Sequence, residues 1–321
     1  MKKIIFLLVV LGILVLTGFL ANNIYSQASG NKSSLVSPIP NFLTILANKE
    51  VSTLNLWLPS LKNRISANLQ SPNITAKSAL VFDTTTKEVL YSKNPTERLP
   101  MASLTKIMTV IVALENKKKD DTYVVSKDDL VGEDSMGLDA GERLSLEELM
   151  YGMMLHSAND AAEVLANNFP GGRSAFIQAM NNKVKSLGLT DTHFTNPTGL
   201  EGDGKQYTTA YDLTVMTEYT LTNFPLFAQV VSTFDYNIPQ TATHKAFYLE
   251  NETNLLTSYP GVKGVKDGYT PEAGLCLVTY LDYGGHKIIG VVLGSGDRRG
   301  EMIELLDYSL KSLGITPPPH G

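Results

Sequence analysis

The sequence predicts an α/β fold: a mainly antiparallel sheet assembled from both chain ends, flanked by helices, with a helical subdomain inserted between them. Two hairpin signals and the stretch separating them carry this expectation. Ser78–Asp83 and Glu88–Tyr91 are β-prone runs around the polar Thr84–Lys87, and Gly274–Tyr280 and Lys287–Leu293 are apolar runs flanking Gly284-Gly285. Between them, Leu144–Met150, Ala161–Ala166 and Tyr211–Met216 place apolar residues at helical spacing. Strands at both ends with helices in the middle imply one sheet closed by the two termini of the domain.

The elements follow in order. Lys2 and Lys3 precede an apolar run from Ile4 to Leu20, interrupted by Gly12, Thr17 and Gly18. A basic start before an apolar stretch reads as a secretory signal, and this one approaches the roughly 20 residues that span a bilayer. Residues 1–28 are therefore expected to be a signal peptide, cleaved after Ser26-Gln27-Ala28, or an uncleaved membrane anchor. Either outcome places the rest of the chain outside the cytoplasm. Residues 29–75 are rich in Ser, Asn and Pro and read as a linker, with one short amphipathic helix between Phe42 and Leu58. Compact structure is expected over 76–314. The stretch from Ser103 to about Leu187 reads as largely helical, and Glu301–Leu313 as a last helix stopped by Pro317-Pro318-Pro319, leaving 315–321 as a tail.

Composition excludes several classes of function. The chain has 321 residues, is 43% hydrophobic and carries a net charge of −5 with both signs mixed along its length. That suffices for a real core and leaves no basic stripe for nucleic acid. The single cysteine, Cys276, lies in an apolar run and reads as a small core residue. The five histidines show no metal-ligand spacing, and His156, the one beside a motif, reads as structural. Neither a metal nor an organic cofactor is expected.

Ser103-Leu104-Thr105-Lys106 places a hydroxyl and an amine three residues apart, which on a helix share a face. A serine is a weak nucleophile until a base adjoins it, and a lysine is that base only when burial or a nearby cation lowers its pKa. Two further motifs follow: Ser157-Ala158-Asn159 and Lys266-Asp267-Gly268. Each has a plain reading. Ser157 and Asn159 suit a helix cap, Lys106 and Lys266 suit a solvated surface, and Thr198-Gly199 suits a turn. The ordered set favours catalysis.

Together the motifs approach the S-x-x-K, S-x-N and K-T-G pattern of penicillin-interacting serine enzymes. With Asn196-Pro197-Thr198-Gly199-Leu200, Thr209-Ala210-Tyr211-Asp212-Leu213, Thr253-Asn254-Leu255-Leu256 and Gly268-Tyr269-Thr270-Pro271-Glu272-Ala273-Gly274, the chain resembles the serine D-alanyl-D-alanine carboxypeptidases among the low-molecular-mass penicillin-binding proteins. The resemblance covers about Ala76 to Leu313. It implies a β-lactamase/DD-peptidase-like fold, peptidoglycan stem peptides as substrate and β-lactams as covalent inhibitors. It also implies roles: Ser103 as nucleophile, Lys106 as its base, Ser157 as proton relay, and Asn159, Lys266, Asp267, Gly268, Tyr269 and Thr270 as substrate-binding positions. The amides of Ser103 and Tyr269 would form the oxyanion hole.

Two departures qualify the resemblance. Threonine or serine normally stands at the position of Asp267, where its hydroxyl helps bind a terminal carboxylate. An aspartate there sets like charge against like unless it is protonated or paired; Lys263, Lys266, Arg298 or Arg299 could neutralise it or take over carboxylate recognition, and the expectation is a weakened or altered substrate preference, for example toward an internal cross-link rather than a free C-terminus. Many relatives also add a C-terminal domain ending in an amphipathic membrane helix; here the N-terminal segment is expected to anchor instead. Competing functions are a D-alanyl endopeptidase and a catalytically impaired peptidoglycan-binding protein. A class A β-lactamase is disfavoured, because no E-x-x-L-N counterpart is evident.

Overall fold

A computed structural model describes residues 69–253 and 255–320. The apolar run at 4–20 and all but the end of the linker lie outside the described residues. Among the described residues, no helix is long and apolar enough to cross a membrane.

Nine strands are present among the described residues: β1 (Ser78–Asp83), β2 (Glu88–Lys93), β3 (Tyr123–Val124), β4 (Arg143–Leu144), β5 (Asp235–Ile238), β6 (Phe247–Glu250), β7 (Val262–Thr270), β8 (Gly274–Tyr283) and β9 (His286–Ser295). The helices are α1 (Lys106–Glu115), α2 (Leu146–Leu155), α3 (Asn159–Asn167), α4 (Gly172–Ser186), α5 (Ala210–Asn223), α6 (Pro225–Val231) and α7 (Arg298–Ser312). A 3₁₀ turn, Ala102–Thr105, runs directly into α1.

The central sheet has the order β2-β1-β9-β8-β7, every neighbouring pair antiparallel. Both expected hairpins form. The first is closed by Asp83, whose carboxylate accepts from Thr85 N–H at 2.8 Å and Thr86 Oγ1 at 2.9 Å. The second is a two-residue turn in which Gly284 and Gly285 both have positive φ, 61° and 85°, matching the right-handed twist of its strands. β1 joins β9 from Ser78↔Leu293 to Asp83↔Ile288, which ties the two ends of the domain together. Helix α7 and helix α5 pack against strands of this sheet. Every residue of β1 is buried, as is the run Ile288–Leu293 of β9, a near-continuous apolar pattern suited to a sheet covered on both faces.

The structure differs from the sequence expectations in four places. The stretch 116–145 is irregular, broken by the β3–β4 pair, rather than helical; it holds Gly132, Gly137 and Gly141 and few apolar residues. Leu144 pairs with Tyr123 in that ribbon. Helix α2 therefore starts at Leu146, capped by Ser145 with Glu148 in a reciprocal capping box. Helix α7 starts three residues early, because the Asp297 side chain caps it by accepting from Gly300 N–H. Strand β7 and the β5–β6 ribbon were not expected. β7 carries two lysines, an aspartate and two glycines, which mask its period.

Candidate active site

Ser103 sits in the 3₁₀ turn that opens α1. Ala102 enters this turn with φ 48°, a left-handed conformation that a residue with a Cβ adopts only under constraint. Lys106 follows one turn later and is fully buried. Its Nζ lies 2.8 Å from Ser103 Oγ, 2.7 Å from Asn159 Oδ1 and 2.9 Å from the Thr198 carbonyl oxygen. Burial drives the Lys106 amine well below the ordinary lysine range, and the charge of Lys266 adds to the effect, against a smaller opposing pull from Asp134, Asp267 and Asp160. A neutral amine has two N–H donors and one lone pair. In that form Asn159 Oδ1 and the Thr198 carbonyl, which can only accept, would take the two donors and leave the lone pair for the Ser103 hydroxyl.

Ser157 lies in the bend between α2 and α3, with φ 56°. Its Oγ is 3.0 Å from Ser103 Oγ. Ala158 takes the N-cap position of α3, so Ser157 and Asn159 are not the cap that their residue types suggest. Asn159 Nδ2 instead donates to the Glu133 carbonyl at 2.8 Å, and its backbone N–H donates to the Asp134 carbonyl at 2.6 Å. The next residue, Asp160, accepts from Ser135 Oγ (2.6 Å) and from the amides of Met136, Gly137 and Leu138 (3.1–3.2 Å). The loop 133–138 is thereby stitched to the segment that holds Lys106.

Strand β7 brings the third motif against the same point. A Cβ built on Gly268 would lie 2.9 Å from the Ser103 nitrogen, so only glycine lets the strand approach this closely. Lys266 is fully buried, not solvated. Its Nζ pairs with Asp267 Oδ1 at 2.9 Å, while Arg298, at the start of α7, sets Nη2 on Asp267 Oδ2 at 2.5 Å and Nη1 on the Gly268 carbonyl at 2.8 Å. Burial alone would push the Asp267 carboxyl up; the charges of Lys266 and Arg298 outweigh it and hold the group below the ordinary aspartate range. The neutralisation of Asp267 thus falls to Lys266 and Arg298 among the four expected cations. Tyr269 projects outward, 62% exposed. The Thr270 hydroxyl accepts from Ala273 N–H at 3.1 Å and is hydrogen-bonded to Glu201, which it helps hold below the ordinary glutamate range.

The expected set Ser103, Lys106, Ser157, Asn159, Lys266, Asp267 and Gly268 therefore converges. Sequence reasoning assigned no role to Thr198 or Gly199. Lys106 uses the Thr198 carbonyl, which a side-chain motif cannot reveal. Gly199 has φ 94°, and a Cβ there would fall 1.9 Å from the Ala102 carbonyl oxygen, so this turn is pressed onto the serine. Beside it lies a cavity of about 520 Å³ whose lining includes Thr198, Leu200 and Glu201. His156 makes a 3.4 Å contact with Glu252. Cys276 is wholly buried, its thiol pushed up to about 11 by burial, as suits a packing residue.

A buried lysine beside a serine, between an antiparallel sheet and a helical subdomain, is an arrangement that nucleophilic chemistry on a serine requires. Residues 65–297 match the peptidase S11 family, described as D-alanyl-D-alanine carboxypeptidase, and the chain belongs to that family. It is 35% identical to D-alanyl-D-alanine carboxypeptidase DacF of Bacillus subtilis over 251 residues, 75% of this chain and 64% of that one. A D-alanyl-D-alanine endopeptidase of Pseudomonas aeruginosa is 33% identical over 246 residues, 73% of this chain and 78% of the relative. Among solved structures, the Streptomyces K15 DD-transpeptidase superposes with a TM-score of 0.71 at 32% identity, covering 76% of this chain and all of that one. The chain spans less than two thirds of the length of the Bacillus subtilis relative.

Proposed function

We propose that this protein is a serine-type D-alanyl-D-alanine carboxypeptidase that trims the terminal D-alanine of peptidoglycan stem peptides. The observation that carries the reading is the buried Lys106 amine, 2.8 Å from Ser103 Oγ and hydrogen-bonded to Asn159 Oδ1 and the Thr198 carbonyl. Ser103 Oγ attacks the carbonyl between the two D-alanines, and its proton passes to the Lys106 lone pair. The carbonyl oxygen takes the negative charge and rests on the amides of Ser103 and Tyr269, each such donor being worth about 100- to 1,000-fold in rate. Ser157 hands a proton to the leaving nitrogen, the C–N bond breaks, and D-alanine departs. Water then attacks the ester on Ser103 and restores the enzyme. Asn159 and Lys266 orient the substrate, and the exposed ring of Tyr269 and the Thr270 end of β7 border its path. β-Lactams would acylate the same serine. The enzyme works outside the cytoplasm, held at the membrane by its N-terminal apolar segment or secreted after cleavage of that segment.

A second reading is favoured by one observation. Asp267 occupies the Lys266 and Arg298 cations, which suits cleavage of an internal D-alanyl cross-link, the reaction named for the Pseudomonas aeruginosa relative.

Saturating fluorescent penicillin tests the common mechanism. One adduct per chain, mapping to Ser103 and lost in Ser103→Ala, is expected. Absence of any adduct on Ser103 would overturn the reading and leave a peptidoglycan-binding protein without turnover.

A further inference from the structure

The backbone carbonyl that receives Lys106 is itself held by a side chain with no part yet in the chemistry. Lys106 and Thr109 lie three residues apart on α1, both buried. They take consecutive carbonyls of the loop between α4 and α5: Thr109 Oγ1 donates to the Pro197 carbonyl at 2.6 Å, and Lys106 Nζ lies 2.9 Å from the Thr198 carbonyl. The N–H ends of the same two peptide units meet on one atom. Asn196 Oδ1 accepts from Thr198 N–H at 3.2 Å and from Gly199 N–H at 2.8 Å. It also accepts from Thr198 Oγ1 at 3.1 Å and Gln206 Nε2 at 3.3 Å, so an oxygen with two lone pairs serves four donors. Asn196 Nδ2 donates to the Leu200 carbonyl at 2.8 Å, which Gln206 Nε2 also reaches at 3.1 Å. The residue is 1% exposed.

A peptide unit is a rigid plane, so gripping its C=O and its N–H fixes it whole. The unit between Thr198 and Gly199 is the one most free to turn, because it leads into a glycine at φ 94°, where rotation meets little steric resistance. Turned over, it would withdraw the carbonyl from Lys106 and present Gly199 N–H to the amine instead. That N–H would compete with the Ser103 hydroxyl for the lone pair of a free-base amine. Thr109 grips only the preceding unit, so Asn196 is the side chain that holds this one. We propose that Asn196 is a positioning residue for acylation: its carboxamide locks the Thr198–Gly199 peptide unit with the carbonyl toward Lys106, and so keeps the base aimed at Ser103. The proposal rests on the acyl-enzyme reading above and adds to it a residue that acts only through the loop.

The test is acylation of Ser103 by a penicillin at rising concentration, which separates the dissociation constant of the noncovalent complex from the acylation rate constant. The full chain, Asn196→Ala and Asn196→Asp are compared, each on the plateau of its own pH profile. Asn196→Ala is expected to lower the acylation constant at least tenfold while the dissociation constant stays within threefold of the parent. Asn196→Asp keeps the acceptor oxygen and loses the donation to Leu200, and is expected to acylate within threefold of the parent. A purely structural role would lower the melting temperature of Asn196→Ala and leave the acylation constant of the folded chains unmoved, and that result overturns the proposal. So does a loss confined to the dissociation constant, or an Asn196→Asp chain as slow as Asn196→Ala. Should Asn196→Ala fail to fold, Thr198→Val decides. It keeps the shape of the residue and removes the hydroxyl that joins Asn196 Oδ1 to Leu200 N–H. At least threefold slower acylation is expected of it, and an unchanged constant overturns the proposal. Labelling of the parent separates the two failures: an unlabelled Ser103 sinks the acyl-enzyme reading itself, whereas a labelled parent with unmoved variants sinks only the role of Asn196.

Discussion

In the central sheet, Ala79–Phe82, Cys276–Val278 and Ile288–Leu293 are apolar or small and wholly buried. Around Ser103 in the helical subdomain, Lys106, Thr105, Thr109, Asn159 and Asp160 are just as buried and are all polar. The sheet satisfies its backbone by regular pairing. The subdomain satisfies buried side chains one by one, with Ala102 and Ser157 in left-handed conformations that cost of order 1–3 kcal/mol each. Two equally buried regions are thus built differently. The apolar region supplies free energy, and the polar one holds a lysine of lowered pKa against a serine.

Paired substitutions break the comparison if it is wrong. Lys106→Met should lower acylation of Ser103 by ~100- to 10,000-fold, the usual worth of a positioned base, measured by single-turnover penicillin labelling. Leu277→Ala, wholly buried in the sheet core, should cost about 2–5 kcal/mol in denaturant unfolding while acylation per folded molecule is retained. A sheet variant that loses chemistry before stability would contradict the division.

Lys106 also leaves a signature in stability. Its folded pKa is lowered, so the unfolded chain binds the extra proton at every pH between the folded value and the ordinary lysine value, and stability must rise with pH across that window. Relative to Lys106→Met, the parent should gain about 1.4 kcal/mol per pH unit there, levelling off near pH ~10. Parallel pH profiles for the two proteins would show that Lys106 is protonated in the fold.

Gly199→Ala forces a Cβ to 1.9 Å from the Ala102 carbonyl oxygen at φ 94°. A loss of about 1–3 kcal/mol is expected, with weaker acylation because the displaced carbonyl belongs to the serine turn. The smallest effect should come from Asp160→Asn, which keeps one acceptor of two for the loop 135–138. A few-fold loss of turnover with little change in melting temperature is expected, and unchanged turnover would remove Asp160 as a positioning residue.

Much of this was legible in the sequence, and the exceptions have physical causes. Both hairpins could be read because β1, β2, β8 and β9 carry apolar runs bounded by turn residues. The three motifs could be read because catalysis needs particular side chains. β7 escaped because Lys266, Asp267 and Gly268 stand where a strand would carry alternating apolar residues. The irregular stretch 116–145 escaped because its order comes from distant partners, Asp160 and the β3–β4 pairing, not from local propensity. The third partner of Lys106, the Thr198 carbonyl, belongs to the backbone and leaves no trace in residue type. Arg298 stood among four candidate cations, and only the approach of α7 to β7 selects it.

The pH dependence of Ser103 acylation measures the state of its neighbour most directly. If Lys106 rests as a free base, the single-turnover rate rises out of acid and reaches its plateau well below pH ~10. A rate that keeps climbing to the ordinary lysine value would mean that the amine is charged at rest and that burial has not lowered its pKa, contradicting the account.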